Sequence, residues 1–374
     1  MKENDNSIVS KNEAIHRLPK IKLVIGNGFD LHCGMHSSYA DYFNSVSHLN
    51  TAIEAWANGF NTYMSYLTSN DCLLFWRKME HFDIINVWDC FFFFRLNKDI
   101  PNKEWCDIEA EIGRSFSSTK TLPSFWEKVL YSFNPTHRDY EKNVYLLSAF
   151  IKHKRNEILF SNEDEFYSYL LNELKLFESR FGAFIKNQQN DEYYLQYECL
   201  VNNLCNYKEL VSIESFNYSV FRKEGYHQIN INGDYNQPIF GIDSKIVSPN
   251  SPEYIFTKTY RRIEQDTDNK RIEIDLDFEN IVVYGHSLCS HDFSYFFPLM
   301  DKIKLYDFTA NGQIVFAYSV YDKKRSSEIK TAYRFAISKI ITSYANYRGL
   351  TEPNRLLDSL SIFRRIWIYE IEIC

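Results

Sequence analysis

Residues 21–30, Ile-Lys-Leu-Val-Ile-Gly-Asn-Gly-Phe-Asp, constrain the fold of this chain more than any other stretch. A short β-rich run ends abruptly in two glycines around one asparagine, and from Asp30 to about Val46 the β character is gone. This pattern predicts strand, tight turn, helix. Missing side chains at Gly26 and Gly28 let backbone approach a ligand, and the start of the helix offers N–H groups to an anion. The third glycine of the dinucleotide fingerprint is absent, with Leu31 in its place, so the pair by itself reads equally well as a turn. Asp30, in the first helical turn, either caps free N–H groups or holds a ribose hydroxyl.

Further along, helical spacing dominates from about residue 51 to 203, as in Phe166, Leu170, Leu171, Leu174, Phe177 and Phe181. Strand character returns at Leu210–Ile213, Gln228–Gly233, Pro238–Ile242, Ile281–Tyr284, Lys302–Tyr306, Gln313–Tyr318 and Ile366–Tyr369, and 324–347 reads as an amphipathic helix. Strands alternating with helices predict an α/β fold with a Rossmann-like, mainly parallel sheet. No repeat, low-complexity tract or Pro/Ser-rich linker divides the chain. The expectation is one discontinuous domain, with a core over 20–50 and 205–374 and a large helical insertion over 51–204.

A length of 374 residues and 45% hydrophobic composition supply a full core. The net charge of -7 argues against a broad grip on nucleic acid, which needs clustered Lys and Arg, and leaves room only for a local basic patch. Eight cysteines without a Cys-x-x-Cys pair read as reduced thiols, and the polar first twenty residues carry no secretory pattern, so a cytoplasmic location is expected. The greasiest stretch, Phe91–Phe94, lies between Asp89 and Arg95, far short of the roughly 20 residues that span a bilayer, and reads as core. His32, Cys33 and His36 lack a second cluster with ligand spacing, so no metal is expected. Neither a Gly-x-Ser-x-Gly elbow nor a Walker-type Gly-Lys-Ser/Thr occurs.

Two further turns share the placement of the first. Ser215-Phe216-Asn217-Tyr218 follows a strand and puts an amide at the C-terminal end of the sheet, where open α/β sheets bind ligands; Asn217 serves either a ligand or the cap of the next turn. Gly285-His286-Ser287-Leu288 follows another strand, and His286 is either a proton-transfer group or a hydrogen-bonded structural histidine. In the helical stretch, Trp105-x-Asp107-Ile108-Glu109 places Glu109 either among apolar groups, which would raise its pKa and suit it to acid/base work, or at an edge within reach of solvent or of Arg114. His291 and Asp292 are sequence neighbours that face different ways and form no pair.

Taken in order, Ile25-Gly26-Asn27-Gly28-Phe29-Asp30-Leu31, Gly34, Ser37-Ser38-Tyr39, Asp41-Tyr42-Phe43, Trp105–Glu109, Ser215–Tyr218, Phe240-Gly241-Ile242 and Gly285–Leu288 with Asp292 resemble the bacteriophage abortive-infection AbiH family. That family in turn resembles the SIR2-type, NAD-binding Rossmann-like proteins. The resemblance implies NAD or a related nucleotide as substrate or ligand. It implies that Gly26, Asn27, Gly28, Phe29 and Asp30 form the nucleotide turn and that Asn217 holds the ribose or a water. It also implies that Asn232, Gly285, Ser287 and Leu288 line the rest of the site. Where relatives read Ile-His-Gly, this chain reads Ile231-Asn232-Gly233, and an amide cannot act as a base. Any proton transfer then falls to His286, Glu109 or Asp30. The expected functions are an NAD glycohydrolase of phage defence, a non-catalytic nucleotide-binding sensor of a phage or host protein, and, with least support, a nuclease. A gate is expected as well, in the helical insertion or a self-association surface, with a phage-derived trigger protein and a homo-oligomer as the expected partners.

Overall fold

The computed structural model describes residues 16–63, 83–96, 106–118, 122–133, 141–156, 158–244, 247–267 and 277–371. By its contacts the chain divides into two compact units, one of residues 1–37, 185–234 and 271–374, the other of residues 38–184 and 235–270.

The first unit holds six parallel strands, β1 (Ile21–Ile25), β2 (Leu210–Ser215), β3 (Gln228–Asn230), β4 (Asn280–Tyr284), β5 (Ile314–Ser319) and β6 (Ile366–Ile371), in the order β3-β2-β1-β4-β5-β6. This is the order of a doubly wound Rossmann-like sheet, and it reverses direction between β1 and β4. Strands covered on both faces read as continuous apolar runs, and β1 and β4 are buried throughout. Alternation sends Leu23, Ile25, Val282 and Tyr284 to one face, against helices α1 (Asn27–His32) and α9 (Asp191–Leu204). Val24, Val283, Ile314 and Phe316 face the other way, against α11 (Phe293–Lys302), α12 (Ser326–Tyr347) and α13 (Pro353–Ile362).

The second unit is helical, with α2 (Tyr39–Ser45), α3 (Ser47–Tyr63), α4 (Val87–Leu96), α5 (Cys106–Phe116), α6 (Phe125–Tyr131), α7 (Lys142–Lys154), most of α8 (Glu163–Gln188) and α10 (Lys258–Thr267). Its core is aromatic. Trp88, Phe91, Trp126 and Phe256 are buried, and both indoles are satisfied, Trp88 Nε1 by Leu170 O and Trp126 Nε1 by Ser115 Oγ, each at 2.9 Å. Buried tryptophans tolerate such an interior when the N–H finds an acceptor. No described helix is long and apolar enough to cross a membrane.

Two expected strands do not form. Pro238–Ile242 lies in the second unit and forms no strand. Pro238 has no N–H to give a ladder, the Phe240 N–H goes to Glu178 Oε1 at 2.7 Å, and Ile242 makes only an isolated bridge to Thr257. Lys302–Tyr306 is the end of α11, where Lys304 turns left-handed (φ 48°) and Leu305 N–H closes back on Met300 O at 2.9 Å. A short apolar run cannot by itself separate a strand from a buried helix end.

Candidate functional site

The turns after β1, β2 and β4 meet at the C-terminal edge of the sheet. Phe216 N–H donates to Ile25 O at 2.9 Å, extending the β2–β1 ladder into the turn, and Asn217 Nδ2 donates to Gly26 O at 3.0 Å. On the other side Gly26 N–H donates to Tyr284 O at 3.1 Å and Gly28 N–H to Gly285 O at 2.8 Å. Glycine is required here by closeness. A Cβ on Gly285, whose φ is +69°, would stand 2.2 Å from Phe29 N, and one on Gly26 would stand 2.7 Å from the His286 Cα. The amides of Gly26 and Gly28 thus point at the protein's own carbonyls, and these glycines serve first to let two turns touch.

Around this contact the polar groups are ordered. Asn27 Oδ1 accepts from Ser37 Oγ at 2.6 Å, and Phe29 is buried edge-on to Tyr197. Asp30 is buried and accepts from the Tyr193 hydroxyl at 2.9 Å. Burial pushes its carboxyl up to about 6, against the downward pull of Ser219, Tyr193 and Asn217. The same burial, with Asp30 beside it, holds the Tyr193 phenol well above its ordinary value. Asn230 Nδ2 donates to Asn217 O and to Ser219 O, both at 2.7 Å, so the β2 turn is braced from the neighbouring strand. Asn232 is buried just beyond β3, before Gly233.

His286 is committed on both nitrogens. Leu288 N–H donates to its Nδ1 at 2.9 Å, so the proton resides on Nε2, which faces Asp292 Oδ2 at 3.5 Å. Its ring lies edge-on to Phe216 at 4.4 Å. Leu288 is buried and left-handed (φ 54°), whereas Ser287 is exposed. The histidine that faces Asp292 lies six residues back in the chain, within the Gly285–Leu288 turn.

Glu109 is found in the second unit. It is buried on α5, where Lys258 Nζ lies 2.7 Å from its Oε2, while Arg114 pairs with Glu111. Trp105 lies outside the described residues. Among the described residues no group of three or more His, Cys, Asp or Glu is placed to hold a metal. His32 Nδ1 instead hydrogen-bonds the Tyr284 hydroxyl. A cavity of about 480 Å3 follows the β2–β3 connection, lined by Arg222, His227, Gln228, Asn230 and Asp234 among others, with no lining residue from the Gly26 or Gly285 turns.

Tyr193 and Lys258 carried no signal in the sequence. Each is identified by a partner more than a hundred residues away in the chain, Asp30 for the first and Glu109 for the second.

Compared with family models, the chain matches the one described as bacteriophage abortive infection AbiH over residues 23–311, more than half of its length. The chain belongs to the AbiH family. Membership places it in phage defence by abortive infection, and the matched span runs from β1 through the β4 turn, so it includes all three converging turns. No curated protein and no solved structure matches the chain.

Proposed function

We propose that this AbiH-family protein binds NAD or a related nucleotide at the C-terminal edge of its sheet, where the strand order reverses between β1 and β4, and hydrolyses its nicotinamide–ribose bond. One observation carries the reading: three turns from strands distant in sequence share hydrogen bonds at the switch point, the place where doubly wound sheets take ligands. The likeness to SIR2-type proteins belongs to this proposal. Asn217 is the residue assigned to the ribose. Asp30 lies buried in contact with Tyr193 and acts as a positioning group for the Asn217 turn. Arg222 and His227, on the wall of the adjoining cavity, offer cationic or hydrogen-bonding groups to phosphate.

In the cleavage the C1′–N bond breaks with its electron pair going to the nicotinamide ring. A water oxygen then bonds C1′ and releases its proton to solvent. Incubating the full chain with NAD, with and without phage-infected lysate, and measuring nicotinamide is the test. Release that Asn217→Ala abolishes supports the reading, and no release in either arm overturns hydrolysis.

A second reading, a non-catalytic nucleotide sensor, is favoured by the state of the proton acceptors. Both nitrogens of His286 are engaged, residue 232 is an amide, and Asp30 is 1% exposed. Calorimetry separates the two: nucleotide binding without turnover selects the sensor, and the absence of binding removes both.

A further inference from the structure

The segment that follows β5 is basic in a chain whose net charge is -7. Over 321–335 it presents Lys323, Lys324, Arg325, Lys330 and Arg334. The carboxylates nearby are engaged: Asp322 accepts the Lys324 N–H at 2.9 Å, Glu328 accepts from Arg325 Nε at 2.8 Å, and Glu370 lies 2.8 Å from Lys330 Nζ. Lys323, Lys324 and Arg334 make no ion pair among the described residues. The same stretch of chain carries two large rings that stand in solvent, Tyr321 at 70% and Phe335 at 71% exposure. A concave surface of about 600 Å3 lies beside Phe335, lined also by Lys324, Arg325, Ser327, Thr331, Ala332 and by Glu328, whose carboxylate is the one already paired with Arg325.

We propose that this face binds single-stranded nucleic acid, with Lys323, Lys324 and Arg334 on phosphates and Phe335 and Tyr321 stacked on bases. Cations beside exposed aromatic rings are the pairing that a flexible, unstacked strand rewards, because every base has a π face and every linkage a charge. A duplex conceals its base faces, and an acidic peptide answers the charges while leaving the rings without a flat partner. The face begins at the C-terminal end of β5, next in the sheet to β4, so the strand would lie along the edge that bears the three converging turns. The inference stands apart from the nucleotide reading, since it uses none of those residues. It also fits a chain of net charge -7, for which only a local basic patch can meet phosphate.

The test is fluorescence anisotropy of the full chain with fluorescein-labelled mixed-sequence 20-mers, as single-stranded RNA, single-stranded DNA and the DNA duplex, with a polyglutamate peptide as competitor. The expected result is binding of a single strand that weakens roughly tenfold to twentyfold between 50 and 200 mM salt, the slope for three phosphate contacts. Phe335→Ala should weaken it about tenfold or more, the loss of one stacked base. The double variant Lys323→Glu/Lys324→Glu should abolish it, and Asn217→Ala should leave it unchanged. Because Phe335, Lys323 and Lys324 are exposed, the thermal midpoint of each variant should match the wild type. Four results would each overturn the proposal: no single-strand binding, binding indifferent to Phe335→Ala, tighter binding of the duplex, or full displacement by polyglutamate.

Discussion

The two compact units treat a buried carboxylate differently. In the helical unit Glu178 is held by Arg261 through two hydrogen bonds, at 2.7 and 3.0 Å, Glu109 by Lys258, and Asp89 by Arg180 at 2.6 Å. In the sheet unit Lys22 and Glu214 pair within the strands, but Asp30 meets the Tyr193 hydroxyl, and no cation is among the groups that act on it. Burial pushes the Glu178 and Asp89 carboxyls upward as it does Asp30, but the first two face a cation that pulls the other way, whereas Asp30 has only neutral donors to oppose the burial. The difference separates Glu109 from Asp30, which the sequence had put forward together as acid/base candidates, and it can be broken at several points.

The largest effect is expected from Arg261→Met. It strands Glu178 in the interior, and the loss should be about 3–5 kcal/mol in urea denaturation at pH 8. Burial already pushes the Glu178 carboxyl above its usual range, so without Arg261 it should take up a proton and the loss should shrink at pH 5. Glu109→Ala should cost somewhat less, about 3 kcal/mol, by removing the carboxylate that Lys258 Nζ meets at 2.7 Å, while Glu109→Met with Lys258→Met should come back to within about 1–2 kcal/mol of wild type. If the double variant were as unstable as the single one, the pair would not be the reason Glu109 is buried.

Asp30→Asn should act in the opposite direction. The unfolded carboxyl titrates near 3.8 and the folded one near 6, so between these values the unfolded chain holds fewer protons and stability falls as pH rises. Above about 6 the deficit is complete, at most about 3 kcal/mol at 1.36 kcal/mol per unit. The asparagine, which still accepts from Tyr193, should therefore stabilise the protein at pH 7 and flatten its stability profile between pH 4 and 6. A profile unchanged by the substitution would place Asp30 with the paired acids. The smallest effect is expected from Tyr193→Phe, a loss of about 1 kcal/mol. It should be seen at pH 8, where the carboxylate needs the donor, and be weaker at pH 4.

Much of the architecture was legible before any coordinates. The run Ile21–Ile25 ending in Gly26-Asn27-Gly28, the apolar run Ile281–Tyr284 before Gly285, and the amphipathic span through 347 carry their conformations in local pattern, because alternation, turn chemistry and helical spacing are properties of neighbouring residues. The same locality misled at Lys302–Tyr306 and Pro238–Ile242. There the deciding contacts are a left-handed closure at Lys304 and an N–H captured by Glu178, and an apolar run does not register either.

From its residues alone the chain determined a parallel α/β sheet, the turns that end its strands, and membership in a family of phage-defence proteins. Only the tertiary structure decided what each polar side chain meets: Tyr193 against Asp30, Asp292 against His286, Lys258 against Glu109. The physical reason is that conformation is written in near neighbours, whereas charge state and reactivity depend on burial and on partners brought from remote parts of the chain.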